Sequence, residues 1–113
     1  MIKAIALIKR KPGLSREEFV KHYEEVHAVL ARKHFPTLKR YVRNHVTTVV
    51  APPGDEEPPF DCITEECFDD MEGLQAVFDF WMSEAGKVIR DDEDSFMDTS
   101  KLVFLLVEEK VSE

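Results

Sequence analysis

Apolar residues return along residues 15–33 at the spacing of one helical face. Phe19, Tyr23, Val26 and Leu30 recur at i, i+4, i+7 and i+11, which predicts an amphipathic helix. Ser15 and Glu18 have capping-box spacing at its start, with Leu14 and Phe19 placed to form a hydrophobic staple. Pro36 marks its end, because the residue before a proline avoids the α region. Residues 2–9 read as a strand closed by the turn signal Lys11-Pro12-Gly13. Residues 38–50, rich in valine, threonine and tyrosine, predict a second strand. The proline-rich acidic stretch 51–59 cannot join a ladder, and its length suggests a mobile flap or an edge feature. A third strand is expected over 60–68. Asp69 and Asp70 then cap a second helix with Leu74, Val77, Phe78, Trp81 and Met82 on one side, ended by Gly86. Residues 91–96 predict one further helical turn. Residues 101–109 are nearly all apolar, as for a strand covered on both faces.

The order is β-α-β-β-α-β, an α+β ferredoxin-like arrangement with a four-stranded antiparallel sheet in a single domain over residues 1–113. Two helices can shield one face of that sheet. The other face would still carry Val42, Val46, Leu105 and Val107, an apolar surface that a monomer rarely leaves wet. The expectation is a homodimer with two sheets packed face to face; the alternative is a monomer whose acidic loop covers that face.

Composition narrows the function classes. The chain has 15 basic against 23 acidic residues and a net charge of -8, a field that repels phosphate backbones, so no nucleic-acid partner is expected. No apolar run is long enough to span a bilayer, so no membrane partner is expected either. Lys3 and Lys9 interrupt the apolar start, which is unlike a signal peptide, and a cytoplasmic location follows as the expectation. Cys62 and Cys67, five residues apart in one strand, would lie about 16 Å apart on opposite faces, which excludes a disulfide between them.

His27 follows Tyr23 by four residues and falls beside the apolar stripe, so its imidazole is directed toward an aromatic interior. There it could work as a general acid or base near neutral pH, or serve as a hydrogen-bonded core residue. Tyr41, Arg43 and His45 share one face of strand two. Tyr41 could donate to a substrate carbonyl or enolate, or simply point its hydroxyl to solvent. If Glu65 faces the helices with Ile63, its carboxylate enters the interior and needs a partner, which His27 would supply. An ion pair at a dimer interface is the alternative. Phe19, Tyr23, Phe78, Trp81 and Phe96 are core residues by type, and whichever line a void would bind a flat apolar ring. His22 and His34 read as exposed on the helix, and Asp92 and Glu93 as part of a solvated acidic run.

Three strings carry a family resemblance. Residues 10–19 (RKPGLSREEF) lead to Tyr23, His27 and then Tyr41-Val42-Arg43-Asn44. Asp61-Cys62-Ile63-Thr64-Glu65 is followed by Phe68. Asp92-Glu93-Asp94-Ser95-Phe96-Met97-Asp98 precedes Glu108. Together they resemble the EthD-domain family of the dimeric α+β barrel superfamily over almost the whole chain. The resemblance implies dimers formed through sheets and a ligand cavity between each sheet and its helices. It also implies no metal or organic cofactor. Members include ether-degradation proteins of uncertain chemical role, fungal enzymes that dehydrate or decarboxylate aromatic polyketides, and methylmuconolactone methylisomerase. His27 and Tyr41 match the helix histidine and strand-two tyrosine of the last, and the family match lifts Asp92 above its acidic surroundings. The methylisomerase has a cysteine just after its strand-three glutamate. Here Glu66 stands there and Cys67 one residue on, a step that changes strand face and argues against that reaction.

The expected function is a cofactor-free lyase or isomerase acting on a small cyclic or aromatic molecule, by dehydration, decarboxylation, cyclisation or isomerisation. His27 moves the proton, Tyr41 stabilises the enolate or phenolate, Glu65 orients the imidazole, and Asp92 belongs to the same group. The alternative is a non-catalytic protein that binds a small hydrophobic ligand or assists an oxygenase.

Overall fold

A computed structural model describes residues 1–54 and 57–113. The sheet runs β2-β3-β1-β4, every neighbouring pair antiparallel, with β1 at Ile2–Ile8, β2 at Arg40–His45, β3 at Cys62–Phe68 and β4 at Val103–Val107. Between β1 and β2 the chain forms α1 (Arg16–His22), a π-helical turn (Tyr23–His27) and α2 (Ala28–His34). Between β3 and β4 it forms α3 (Met71–Met82), α4 (Lys87–Phe96) and a short 3₁₀ turn (Thr99–Lys101). This is the ferredoxin-like α+β arrangement expected from the pattern. No described helix is long and apolar enough to cross a membrane.

Strand parity sets what each sheet face carries, because successive side chains alternate. The register Ala4↔Glu66, Ala6↔Thr64, Ile8↔Cys62 and Tyr41↔Glu66 puts these seven positions' side chains on the helix-covered face. Lys3, Ile5, Leu7, Val42, Ile63, Glu65 and Leu105 share the opposite face. Two apolar groups hold the layers together: Phe19, Tyr23, Ile8 and Phe96 at one end, and Phe35, Phe68, Leu74 and Ile89 at the other. Asp61, fully buried, accepts from the Arg10 backbone N–H and guanidinium, each at 2.9 Å, and so ties the end of β1 to the start of β3.

The predicted helix is present, with the Ser15–Glu18 capping box formed at its start. Its winding differs from the expectation. The Ala28 N–H bonds the Tyr23 carbonyl five residues back, so one extra residue enters the turn. Everything beyond is rotated relative to a regular helix. Val26, expected on the inward stripe, is 39% exposed, while His27, Ala28 and Ala31 are buried.

Three further boundaries differ. The second strand stops at His45 rather than residue 50. Among the described residues its one neighbour is β3, which begins at Cys62, and the preceding Pro58-Pro59 has no N–H to extend the ladder. Gly86 does not end α3 but precedes α4, a full ten-residue helix where a single turn was expected. Ser83 stops α3, and Gly86 is required because a Cβ there would collide with the Phe80 carbonyl oxygen. Within one protomer β4 is not covered: Val103 through Val107 are 37–56% exposed on both sides of the strand. Of the acidic loop, Asp55 and Glu56 lie outside the described residues. Glu57 and Pro58 hold Lys9, with Pro58 O accepting at 2.9 Å, and the described part of the loop leaves Ile63 and Leu105 exposed. Cys62 and Cys67 are on opposite faces and not disulfide-linked, as expected.

Candidate functional site

Small side chains open a space between sheet and helices. Ala6 on β1 and Ala31 on α2 stand where larger residues would fill the interior, and both line a cavity of about 220 Å³. Most of its wall is carbon, from Ile8, Phe35, Val77, Phe78, Met97, Leu102 and Phe104. Its polar groups belong to Tyr23, His27, Tyr41, Glu66, Trp81 and Glu93. Such a space suits a flat, largely apolar ring with a few polar anchors.

The π turn delivers His27 to this space, 5% exposed. Its Nδ1 lies 2.9 Å from Asp92 Oδ2 on α4. An Nδ1–H donated to that carboxylate leaves the Nε2 lone pair on the other side of the ring, directed toward the cavity. There Nε2 stands 4.0 Å from Glu93 Oε2. Asp92 also holds His22, whose Nε2 is 2.8 Å from Oδ1. Burial pushes the Asp92 carboxyl up, but the hydrogen bonds and charge of the two imidazoles outweigh it and keep the acid below its ordinary range. An Asp92 carboxylate therefore backs the ring. Phe96 supports it by packing at 5.1 Å between ring centres.

Tyrosines form the adjoining wall. Tyr23 Oη lies 2.6 Å from Thr64 Oγ1, and the Tyr41 hydroxyl donates a long hydrogen bond of 3.4 Å to Tyr23 Oη. Burial raises both phenols well above their usual range, so both remain neutral O–H groups. The Arg43 guanidinium covers the outer side of the Tyr41 ring at 4.6 Å and pairs with Glu24 through two bonds of 2.7 and 3.0 Å. Glu24, held down to about 2 chiefly by Arg43, also contacts His45 Nε2 at 2.8 Å.

Two carboxyls complete the lining. Burial, then the charge of Glu93, pushes Glu66 up to about 7. Burial also raises Glu93, opposed by the Trp81 indole N–H, which donates to Oε1 at 2.9 Å. Among the described residues, no three His, Cys, Asp or Glu side chains converge as metal ligands.

The EthD domain model matches residues 11–100. The chain belongs to the EthD-domain family. It is similar to the solved structure of an ethyl tert-butyl ether d (EthD) family protein from Bacillus halodurans, at 27% identity and TM-score 0.66, covering 97% of this chain and 100% of that one. It is also similar in fold to protein At3g17210 of Arabidopsis thaliana, at 17% identity and TM-score 0.66, over 100% of this chain and 99% of that one. HapK from Hahella chejuensis aligns at 11% identity and TM-score 0.66, over 100% of this chain and 96% of that one. No curated protein matches the chain.

Within this EthD domain the expected residues are brought together in part. His27, Tyr41, Tyr23, Phe78 and Trp81 line the cavity. Asp92 stands behind His27 rather than in the wall. Glu65 does not enter the interior. Its parity with Ile63 puts it on the open sheet face, where Lys3 pairs with it at 2.7 Å and Asn44 donates to it at 2.9 Å, so the expected His27–Glu65 contact is not formed. Asp92 takes the orienting position instead. Phe19 and Phe96 are fully buried core residues and do not line the cavity. His22, read as merely exposed, is joined to Asp92. Glu66 and Glu93 are the groups that inspection of the sequence passed over. For Glu66 the signal was present: Cys62, Thr64, Glu66 and Phe68 share a parity that ends on a large aromatic. For Glu93 the signal was its spacing from Ile89 and Phe96 on the buried side of α4.

Proposed function

We propose that the chain is a cofactor-independent acid/base enzyme acting on a small cyclic or aromatic molecule, a lyase or isomerase that works by proton transfer beside a carbonyl. One observation carries the reading: His27 is held through Nδ1 by an ionised Asp92 and turns Nε2 toward a carbon-lined cavity. An imidazole fixed in that tautomer presents an Nε2 lone pair that can take a proton from a bound molecule. The neutral Tyr41 hydroxyl nearby supplies a donor for charge developing on an oxygen. The working form is a cytoplasmic homodimer packed through the open sheet faces. The exposed Ile63 and Leu105 support the dimer, as do solved relatives of this fold described as dimeric, including a ferredoxin-like protein of unknown function from Thermobifida fusca.

The test uses 2-tetralone, an uncharged bicyclic ketone, in heavy water, with loss of the proton beside the carbonyl followed by NMR. The wild-type protein is expected to accelerate exchange, and His27→Ala to abolish the acceleration, a loss of a hundredfold or more. Equal exchange with both proteins defeats the reading. A second reading, a ligand-binding or oxygenase-accessory protein without catalysis, is favoured by the Tyr23 hydroxyl being already engaged with Thr64. It predicts tetralone binding without exchange.

A further inference from the structure

Glu66 has a placement that its strand neighbours explain but its chemistry does not. It sits on the helix-covered face of β3 with Ala4 opposite it on β1 and Tyr41 opposite it on β2. Antiparallel partners on one face stand about 5 Å apart at Cβ, so the Glu66 and Tyr41 side chains rise into the cavity side by side. Ala4 is too small to cover the carboxyl from the other flank. Among the described residues no hydrogen bond or ion pair reaches it, and no lysine or arginine lines the cavity. The other ionisable groups facing it are Tyr23 and His27 from the π turn, Tyr41 from β2 and Glu93 from α4. Only one of these is an acid of similar strength, and it repels.

We propose that the Glu66 carboxyl, in its acid form, and the Tyr41 hydroxyl make a two-donor site for the oxygen of an uncharged carbonyl ligand. A half-buried carboxyl in a carbon-lined cavity with no cation beside it gains little from ionising, whereas its acid form offers an O–H that a carbonyl oxygen satisfies. Burial and the Glu93 charge, which raise Glu66 to about 7, act in the same direction. Two neutral donors in an apolar, cation-free wall accept a ketone, whereas a carboxylate of the same shape would add a negative charge beside Glu93 with no cation to offset it, and a third once Glu66 ionises. The ligand class is thereby narrowed to neutral cyclic carbonyl compounds.

The catalytic side of this inference rests on the proposed acid/base reading. His27 Nε2 would take the proton from the carbon beside the carbonyl. The electron pair of that C–H bond would move to form C=C, and the carbonyl pair would move to oxygen, where the two O–H groups hold the enolate. The imidazole becomes imidazolium, and returning its proton reverses the step.

Binding and exchange are measured separately, with 2-tetralone and its carboxylate counterpart 2-naphthoate as probes. For the wild-type protein the dissociation constant of 2-tetralone should rise roughly tenfold from about pH 6 to about pH 8, as Glu66 loses its proton and one hydrogen bond is lost. Glu66→Gln keeps an N–H donor without a titrating group, so its binding should not vary over that range. Tyr41→Phe should weaken binding at every pH while keeping the slope. 2-Naphthoate should bind at least tenfold more weakly than the ketone at about pH 8. The inference is overturned if Glu66→Gln keeps the wild-type pH slope, if naphthoate binds as tightly as tetralone, or if tetralone does not bind at millimolar concentration. Binding that follows the expected pattern without proton exchange keeps the donor pair and removes the acid/base reading. Exchange that survives with a pH-independent wild-type affinity does the reverse.

Discussion

Glu65 and Glu66 are the same residue type one step apart on β3, yet the two sheet faces treat them oppositely. On the open face Lys3, then Asn44, hold Glu65 below the ordinary carboxylate range in contact with water. Under the helices Glu66 meets burial and another carboxyl, and it is pushed up to about 7. Sequence type therefore says little about a carboxyl here; strand parity decides its chemistry. The open face spends its polar residues on pairing and leaves Ile63, Leu105 and Val107 for another surface. The covered face leaves Glu66 without a partner among the described residues and uses alanines to make room for a ligand.

The largest expected effect concerns the open face. Leu105→Glu places two like charges near the centre of a sheet-to-sheet dimer, and sedimentation should show conversion to monomer at micromolar concentration. Unchanged sedimentation would remove the proposed dimer.

Next comes Glu66. Its acid is raised when folded, so its contribution to stability is fully present below the unfolded value of 4.5 and is lost as pH rises through about 7. Glu66→Gln should consequently stabilise the protein at about pH 8, by up to about 3 kcal/mol, and not at about pH 4. Urea unfolding at both pH values measures this, and an equal effect at the two would contradict the burial argument.

Asp92→Asn should slow tetralone exchange by roughly tenfold to a hundredfold with little change in affinity, because the ring loses its orienting charge but not its place. An unaltered exchange rate would show that His27 does not depend on Asp92. The smallest effect belongs to the partly exposed surface pair: Glu65→Gln should cost under about 1 kcal/mol and fade in salt, since exposed ion pairs are screened. A loss of exchange activity with this variant would restore Glu65 to the site.

Much of the architecture was legible because it depends on period. The 3.6-residue stripe beginning at Phe19, the capping box at Ser15 and the prolines around residues 51–59 each act locally, and the element order followed from them. Boundaries set by partners were not legible: β2 ends where β3 begins, close to Pro58-Pro59, and no residue in 46–50 announces it. Of the site, His27 and Tyr41 could be found from spacing and family likeness. Ile63 pulls the sequence reading toward Glu65, but Cys62 and Phe68 share the parity of Glu66, and the covered face follows these fully buried residues. Asp92 and Glu93 read as one solvated run because charge density hides a helix whose buried residues are Ile89 and Phe96, with Glu93 half-buried between them.

The π turn at Tyr23–His27 makes the site a matter of counting. Wound as an ordinary α-helix, the same residues would turn Val26 and Leu30 inward and carry the imidazole away from Asp92 without altering a single functional side chain. Point substitutions test the groups in this cavity one at a time, whereas the winding of that turn sets their alignment together.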